Sequence, residues 1–230
     1  MAVAAAFGLT VASAPLPSAA QDSTAMKKPR NDPPPSRRGR RVDLSGKKYK
    51  DNGFVRQLSR GAVGPTTNVL DLSGNRLTPR SIEALGSLDL PMLTSLTLDG
   101  SPIGDEGLLV LGRAATFRQL RTLSVARTGI TAEGLAAFLA TAPPALTNLS
   151  LDGNNIGDAG ARALAGYKAG WTTLGLRAVG LSSQGASDLA GSGALDRCSY
   201  LDVADNGLDE ASTDALWKPV SIASGQVVTE

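Results

Sequence analysis

Leu149 and Leu151 fall on an alternating beat in LTNLSLDGN, with Leu146 three residues before them, and Ile156, Gly160 and Leu164 follow at four-residue spacing. The first beat suits a strand with one buried face and the second a helix with one buried stripe. Residues 146–165 are therefore predicted to run strand, turn, helix. The same pattern recurs along the chain: aligned on the central strand residue it gives Val42, Leu70, Leu96, Leu123, Leu149, Leu174 and Leu201, spaced 25 to 28 residues apart. Two residues further on stand Leu44, Leu72, Leu98, Val125, Leu151, Leu176 and Val203, all aliphatic. A fixed period of this length marks an array in which each unit buries its apolar face by stacking on its neighbours.

The turn position of successive copies reads Lys47, Asn75, Ser101, Thr128, Asn154, Val179 and Asn206. Amide and hydroxyl side chains at such a position satisfy backbone groups that a tight turn strands, so Asn75, Ser101, Thr128, Asn154 and Asn206 are expected to form a structural ladder. Val179 interrupts it: either the turn is bound differently or water replaces the missing polar group, and this register is expected to be locally softer. Thr78, Thr131, Ser182 and Asp209 are of the N-cap type, and Pro79 suits a first helical turn. Ser81, Gly107, Gly134, Gly160, Gly185 and Ser212 each lie four residues past the apolar residue after the turn, a spacing expected to let each helix sit close to the sheet. Trp171 occupies the strand position held elsewhere by Leu93, Leu120 and Leu146 and is assigned to the core, while Trp217 and Pro219 are expected to end the last helix.

LTNLSLDGN resembles the L-x-x-L-x-L-x-x-N of leucine-rich repeats, and IGDAGARALA resembles the helical half of their ribonuclease-inhibitor type. The resemblance implies an α/β solenoid, a curved parallel sheet with outer helices in six to seven repeats. Residues 67–217 would form the repeats, 42–66 an atypical amino-terminal capping repeat, and 218–230 a carboxy-terminal cap or tail. Residues 1–41 would be a basic, proline-rich arm carrying a targeting segment at 1–20. That segment is alanine-rich and free of acidic residues, and it fits an organelle transit peptide, a secretory leader or an unstructured start.

Composition narrows the chemistry. The chain has no histidine and one cysteine, Cys198, which removes Ser-His-Asp and Cys-His catalysis and leaves no Cys/His zinc site. One thiol allows no internal disulfide, so a reducing intracellular compartment, cytoplasm or organelle, is favoured over secretion. Neither G-x-x-x-x-G-K-[ST] nor G-x-G-x-x-G is present, and no cofactor, small-molecule substrate or membrane span is expected. The net charge of +2 divides unevenly, because residues 1–50 hold ten Lys/Arg against three Asp/Glu while residues 51–230 are net acidic. The arm segment KKPRNDPPPSRRGRR carries Lys27, Lys28, Arg30, Arg37, Arg38, Arg40 and Arg41 among four prolines, suited to contact with an acidic surface on a protein or with RNA.

On the face the strands would present, small polar residues dominate; the candidate contact residues are Asp71, Asp99, Asp152, Arg127, Arg177 and Tyr200. The expected function is a non-catalytic scaffold or accessory subunit that docks onto a larger multi-protein assembly through its arm and solenoid ends. A soluble regulatory or inhibitor-type module and an RNA-associated subunit are the alternatives.

Overall fold

The computed structural model describes residues 39–222 and 226–229; the targeting segment and Lys27, Lys28, Arg30, Arg37 and Arg38 lie outside the described residues. Strands β1 (Arg40–Asp43), β2 (Thr67–Asp71), β3 (Ser95–Thr97), β4 (Thr122–Ser124), β5 (Asn148–Ser150), β6 (Thr173–Gly175), β7 (Tyr200–Asp202) and β8 (Gln226–Val228) form one parallel sheet in chain order. Helices α1 (Asp51–Ser59), α2 (Pro79–Gly86), α3 (Gly104–Arg113), α4 (Ala132–Leu139), α5 (Gly157–Ala165), α6 (Ser183–Ala190) and α7 (Glu210–Ile222) connect successive strands. Each helix packs on the next, and α7 also packs on β8. Strands sit about 4.8 Å apart whereas packed helices need about 8–10 Å, so the stack bends with its helices on the outer side.

The sheet register follows the apolar column residue by residue. Val42 pairs with Leu70, Leu70 with Leu96, Leu96 with Leu123, Leu123 with Leu149, Leu149 with Leu174 and Leu174 with Leu201. Val227 extends the column by one member, because β8 adds to the sheet beyond β7. All these residues up to Leu201 are buried. Strand β1 takes in Arg40 and Arg41, so the sheet begins within the stretch read as arm. Trp171 is fully buried, stacks on Tyr167 with ring centroids 4.5 Å apart, and donates its indole N–H to the Leu164 carbonyl at 3.2 Å.

One backbone position repeats in every turn. The residue four past the column leucine has a positive φ in all seven repeats: Gly46, Gly74, Gly100, Arg127, Gly153, Ala178 and Asp205. Glycine adopts this left-handed conformation freely, and Arg127, Ala178 and Asp205 hold it against the Cβ clash that ordinary residues meet there.

The turn ladder is intermittent, and its asparagines serve the preceding repeat. Asn154 donates to the carbonyls of Val125 and Leu151, both at 2.8 Å, while its Oδ1 accepts the amides of Thr128, Gly129 and Ile130 at 3.0 to 3.1 Å. Asn75 does the same for the first turn, donating to Leu44 and Leu72 and accepting from the Tyr49 amide. Asn206 holds the Val179 turn, donating to Leu176 and accepting from the amides of Val179 and Leu181 at 3.0 Å. The turn at Val179 is thus itself bound, by Asn206 of the next repeat, and what Val179 does not supply is a side-chain acceptor for the turn of repeat five. The ladder is also unfilled at Ser101, whose buried hydroxyl has no partner.

Three aspartates in the first turn of odd-numbered helices tie each to the helix that follows. Asp51 accepts from the Thr78 amide and hydroxyl and from Ser81, Asp105 from the Thr131 amide and hydroxyl, and Asp158 from the Ser182 amide and hydroxyl. This explains two of the small residues differently from the sequence expectation. A Cβ at Gly134 or Gly185 would collide with the carboxylate of Asp105 or Asp158, so glycine there makes room for the neighbouring repeat's side chain rather than for the sheet. Gly107 and Gly160 make room for Ile103 and Ile156 of their own repeats. The last helix also departs from expectation: α7 runs through Pro219 to Ile222. Val220 is fully buried one residue past the proline, which anchors the final turn although the proline supplies no N–H.

Candidate interaction surface

The helices cover one face of the sheet, and the residues that alternate with the buried columns make the other. Position by position, β4 to β7 place Thr122, Asn148, Thr173 and Tyr200 in one outward row and Ser124, Ser150, Gly175 and Asp202 in the next. Asn148 donates across to Thr173 at 3.1 Å, and among the described residues Tyr200 is one of two large hydrophobic side chains left exposed, the other being Trp217 on α7.

The acidic residues on this face are engaged with backbone. Asp43, Asp71 and Asp202 accept the amide two residues on, at 2.9 to 3.0 Å from Ser45, Ser73 and Ala204. Asp99 and Asp152 reach across instead, to the amides of Ala126 at 2.9 Å and Arg177 at 3.0 Å in the following repeat. Each carboxylate thereby satisfies an N–H at a strand end, a favourable charge-assisted bond. The hydroxyl and amide of Ser45 hold the Asp43 carboxyl below its ordinary pKa. Among the charged groups named from sequence, Arg41 lies 4.0 Å from Asp71, and Arg177 is bound to Asp205 with contacts of 2.8 and 2.7 Å. These are exposed pairs, worth little individually. The Arg127 side chain lies over Gly153 of the next repeat.

Of the residues singled out, the structure brings Asp152 and Tyr200 together. They line a depression of about 190 Å³ with Thr122, Ser124, Asn148, Gly175 and Asp202. Arg41, Asp71, Asp99, Arg127 and Arg177 are not in its wall. The contributions of Gly175 and Asp202 were missed by sequence reasoning; the signal available was that Gly175 is the one residue without a side chain in its outward row. A larger, open depression of about 560 Å³ lies on the helical side, between α4 and α5, and is lined by several alanines with Tyr167, Arg162 and Lys168. No group of three or more His, Cys, Asp or Glu able to hold a metal occurs among the described residues, and no helix among them is long and apolar enough to cross a membrane.

An eight-stranded parallel sheet built from seven strand–turn–helix units with an in-register leucine column defines a leucine-rich-repeat solenoid. Family models for the leucine-rich repeat match residues 67–88, 89–112, 118–139 and 144–165. Ribonuclease inhibitor from Sus scrofa is 34% identical over 176 residues, which is 70% of this chain and 38% of that protein. The chain thus spans well under half the length of the curated relative it matches. A chain of the yeast Rad7 and Elc1 complex shares the fold with a TM-score of 0.55 and 16% identity, covering 74% of this chain and 51% of its own. The chain is a leucine-rich-repeat protein of the ribonuclease-inhibitor type.

Proposed function

We propose that this chain is a non-catalytic protein-interaction module, an accessory or structural subunit that docks onto a larger multi-protein assembly through its amino-terminal basic segment and the ends of its solenoid. The observation that carries the reading is the asymmetry of the sheet: seven helices pack one face, and nothing among the described residues covers the other. The similar proteins lend support, one being an inhibitor by name and the other part of a two-protein complex. The Sus scrofa relative also favours a second reading, a soluble inhibitor-type regulator that closes around one partner. Exposed Trp217, on the last helix, and the edge strands β1 and β8 suit end-on docking.

The test is affinity capture with the full chain beside a chain lacking residues 1–38, which retains every described strand and helix. Capture of a defined set of proteins in fixed proportion, reduced by the deletion, supports the subunit reading. A single stoichiometric partner held equally by both chains establishes the regulator instead. Capture dominated by RNA, lost on nuclease treatment and steeply weakened by salt, overturns both in favour of RNA binding through the arm.

A further inference from the structure

The outward face changes character at β6. In β4, Ser124 donates its hydroxyl to Asp99 of the preceding repeat at 2.6 Å, and the Ala126 amide donates to the same oxygen. Two repeats on, Gly175 stands where Ser124 stands. Asp152 therefore receives the Arg177 amide but no side-chain donor from β6, and its second oxygen accepts Ser150 from its own strand at 2.9 Å. From the other side comes Asp202, the in-register neighbour of Gly175; its Oδ1 accepts the Ala204 amide, and no hydrogen bond among the described residues reaches its Oδ2. Gly175 has no positive φ, so the backbone does not demand glycine. What glycine provides is space, since a Cβ there would lie 2.7 Å from the Asp152 carboxylate.

Two carboxylates thus flank a strand position that has no side chain, and the Arg177 guanidinium is turned away to Asp205. Tyr200, Asn148, Ser150 and Thr173 line the same depression, together with Leu123 and Leu149. We propose that this depression is a subsite for an arginine side chain of an extended protein partner, an inference that rests on the protein-interaction reading above. A guanidinium is planar and offers donors on both edges, which matches carboxylates approaching from two sides; lysine offers a compact point charge without that fork. The tyrosine ring takes the cation or its aliphatic stem on its face. A volume of about 190 Å³ admits one side chain, and no folded element.

The probe is a capped Gly-Arg-Gly peptide, titrated into the full chain and followed by amide and aromatic NMR shifts, beside its citrulline and lysine analogues. Saturable shifts at Gly175, Asp202 and Tyr200 are expected, with the neutral citrulline peptide about tenfold weaker or worse, the loss of one charge-assisted hydrogen bond. Gly175→Ser rebuilds the Ser124–Asp99 arrangement and should abolish the shifts. Asp202→Asn leaves the backbone untouched and should weaken binding about tenfold, which keeps the test open if the serine variant misfolds. Equal binding of the citrulline peptide, shifts indifferent to both variants, or no shifts at saturating peptide would each overturn the subsite. Protein capture by the full chain, measured in parallel, separates the two readings. Capture that persists without peptide shifts sinks the subsite alone, and loss of capture with intact shifts sinks the interaction-module reading.

Discussion

Asn154→Ala tests whether the solenoid is held at its middle by a single side chain. The asparagine is 2% exposed and joins repeats four and five through two donated hydrogen bonds and three accepted from backbone amides. Truncation leaves Val125 and Leu151 with other donors, the Thr128 hydroxyl and the Asn154 amide, but strands the buried amides of Thr128 and Ile130. Each unsatisfied amide costs about 1–3 kcal/mol, so the variant should lose about 4 kcal/mol. With a urea m-value of about 2 kcal/mol/M, the midpoint should fall by about 2 M. Both tryptophans, Trp171 and Trp217, lie beyond this junction, so fluorescence reports the carboxy-terminal repeats while far-UV circular dichroism reports the whole array. In the variant the two transitions should separate, because repeat arrays are held by neighbour-to-neighbour interfaces and this one is weakened. Asn155, the adjacent and exposed residue, is the control: Asn155→Ala should shift the midpoint by less than about 0.5 kcal/mol equivalent. A shift for Asn154→Ala no larger than the control's would refute the ladder argument.

Ala178→Gly relieves an exposed residue of a left-handed conformation with φ 52° and should stabilise by about 1 kcal/mol in urea melts; a loss would show that the turn tolerates Cβ without strain. Gly185→Ala, which on helix propensity alone should stabilise α6, is expected to cost about 2 kcal/mol because the methyl meets the Asp158 carboxylate, and thermal denaturation decides the sign. Hydrogen bonds from the Ser182 hydroxyl and amide hold the Asp158 carboxyl below its ordinary pKa. Its folded value being depressed, the stability it contributes is present above the unfolded value near 3.9 and is lost as pH falls through the folded value. Asp158→Asn should accordingly be less stable at pH 7 but show a shallower decline between pH 4 and pH 2, and parallel pH profiles would sink the assignment. Burial pushes the Cys198 thiol upward, so it should resist a thiol-reactive dye at pH 8 in the native chain and react fully in urea; prompt native labelling would contradict its buried setting.

The repeat register was legible from the chain alone, since stacking identical units buries one column of leucines and a period of 25 to 28 residues leaves no other alignment of Val42 through Leu201. The burial of Trp171 followed from its place in the parallel column of Leu93, Leu120 and Leu146, three residues earlier in each repeat. Tertiary structure decided what passes between repeats. A sequence written in single units does not show that Asn206 serves the turn of Val179, or that Asp158 fills the space left by Gly185, because those partners lie 24 to 27 residues apart and meet only after stacking. The same holds for the outward face. Asp99 and Asp152 occupy equivalent positions and look alike in the sequence, yet one is closed by Ser124 and the other opens onto Gly175, a difference set by the side chain on the neighbouring strand.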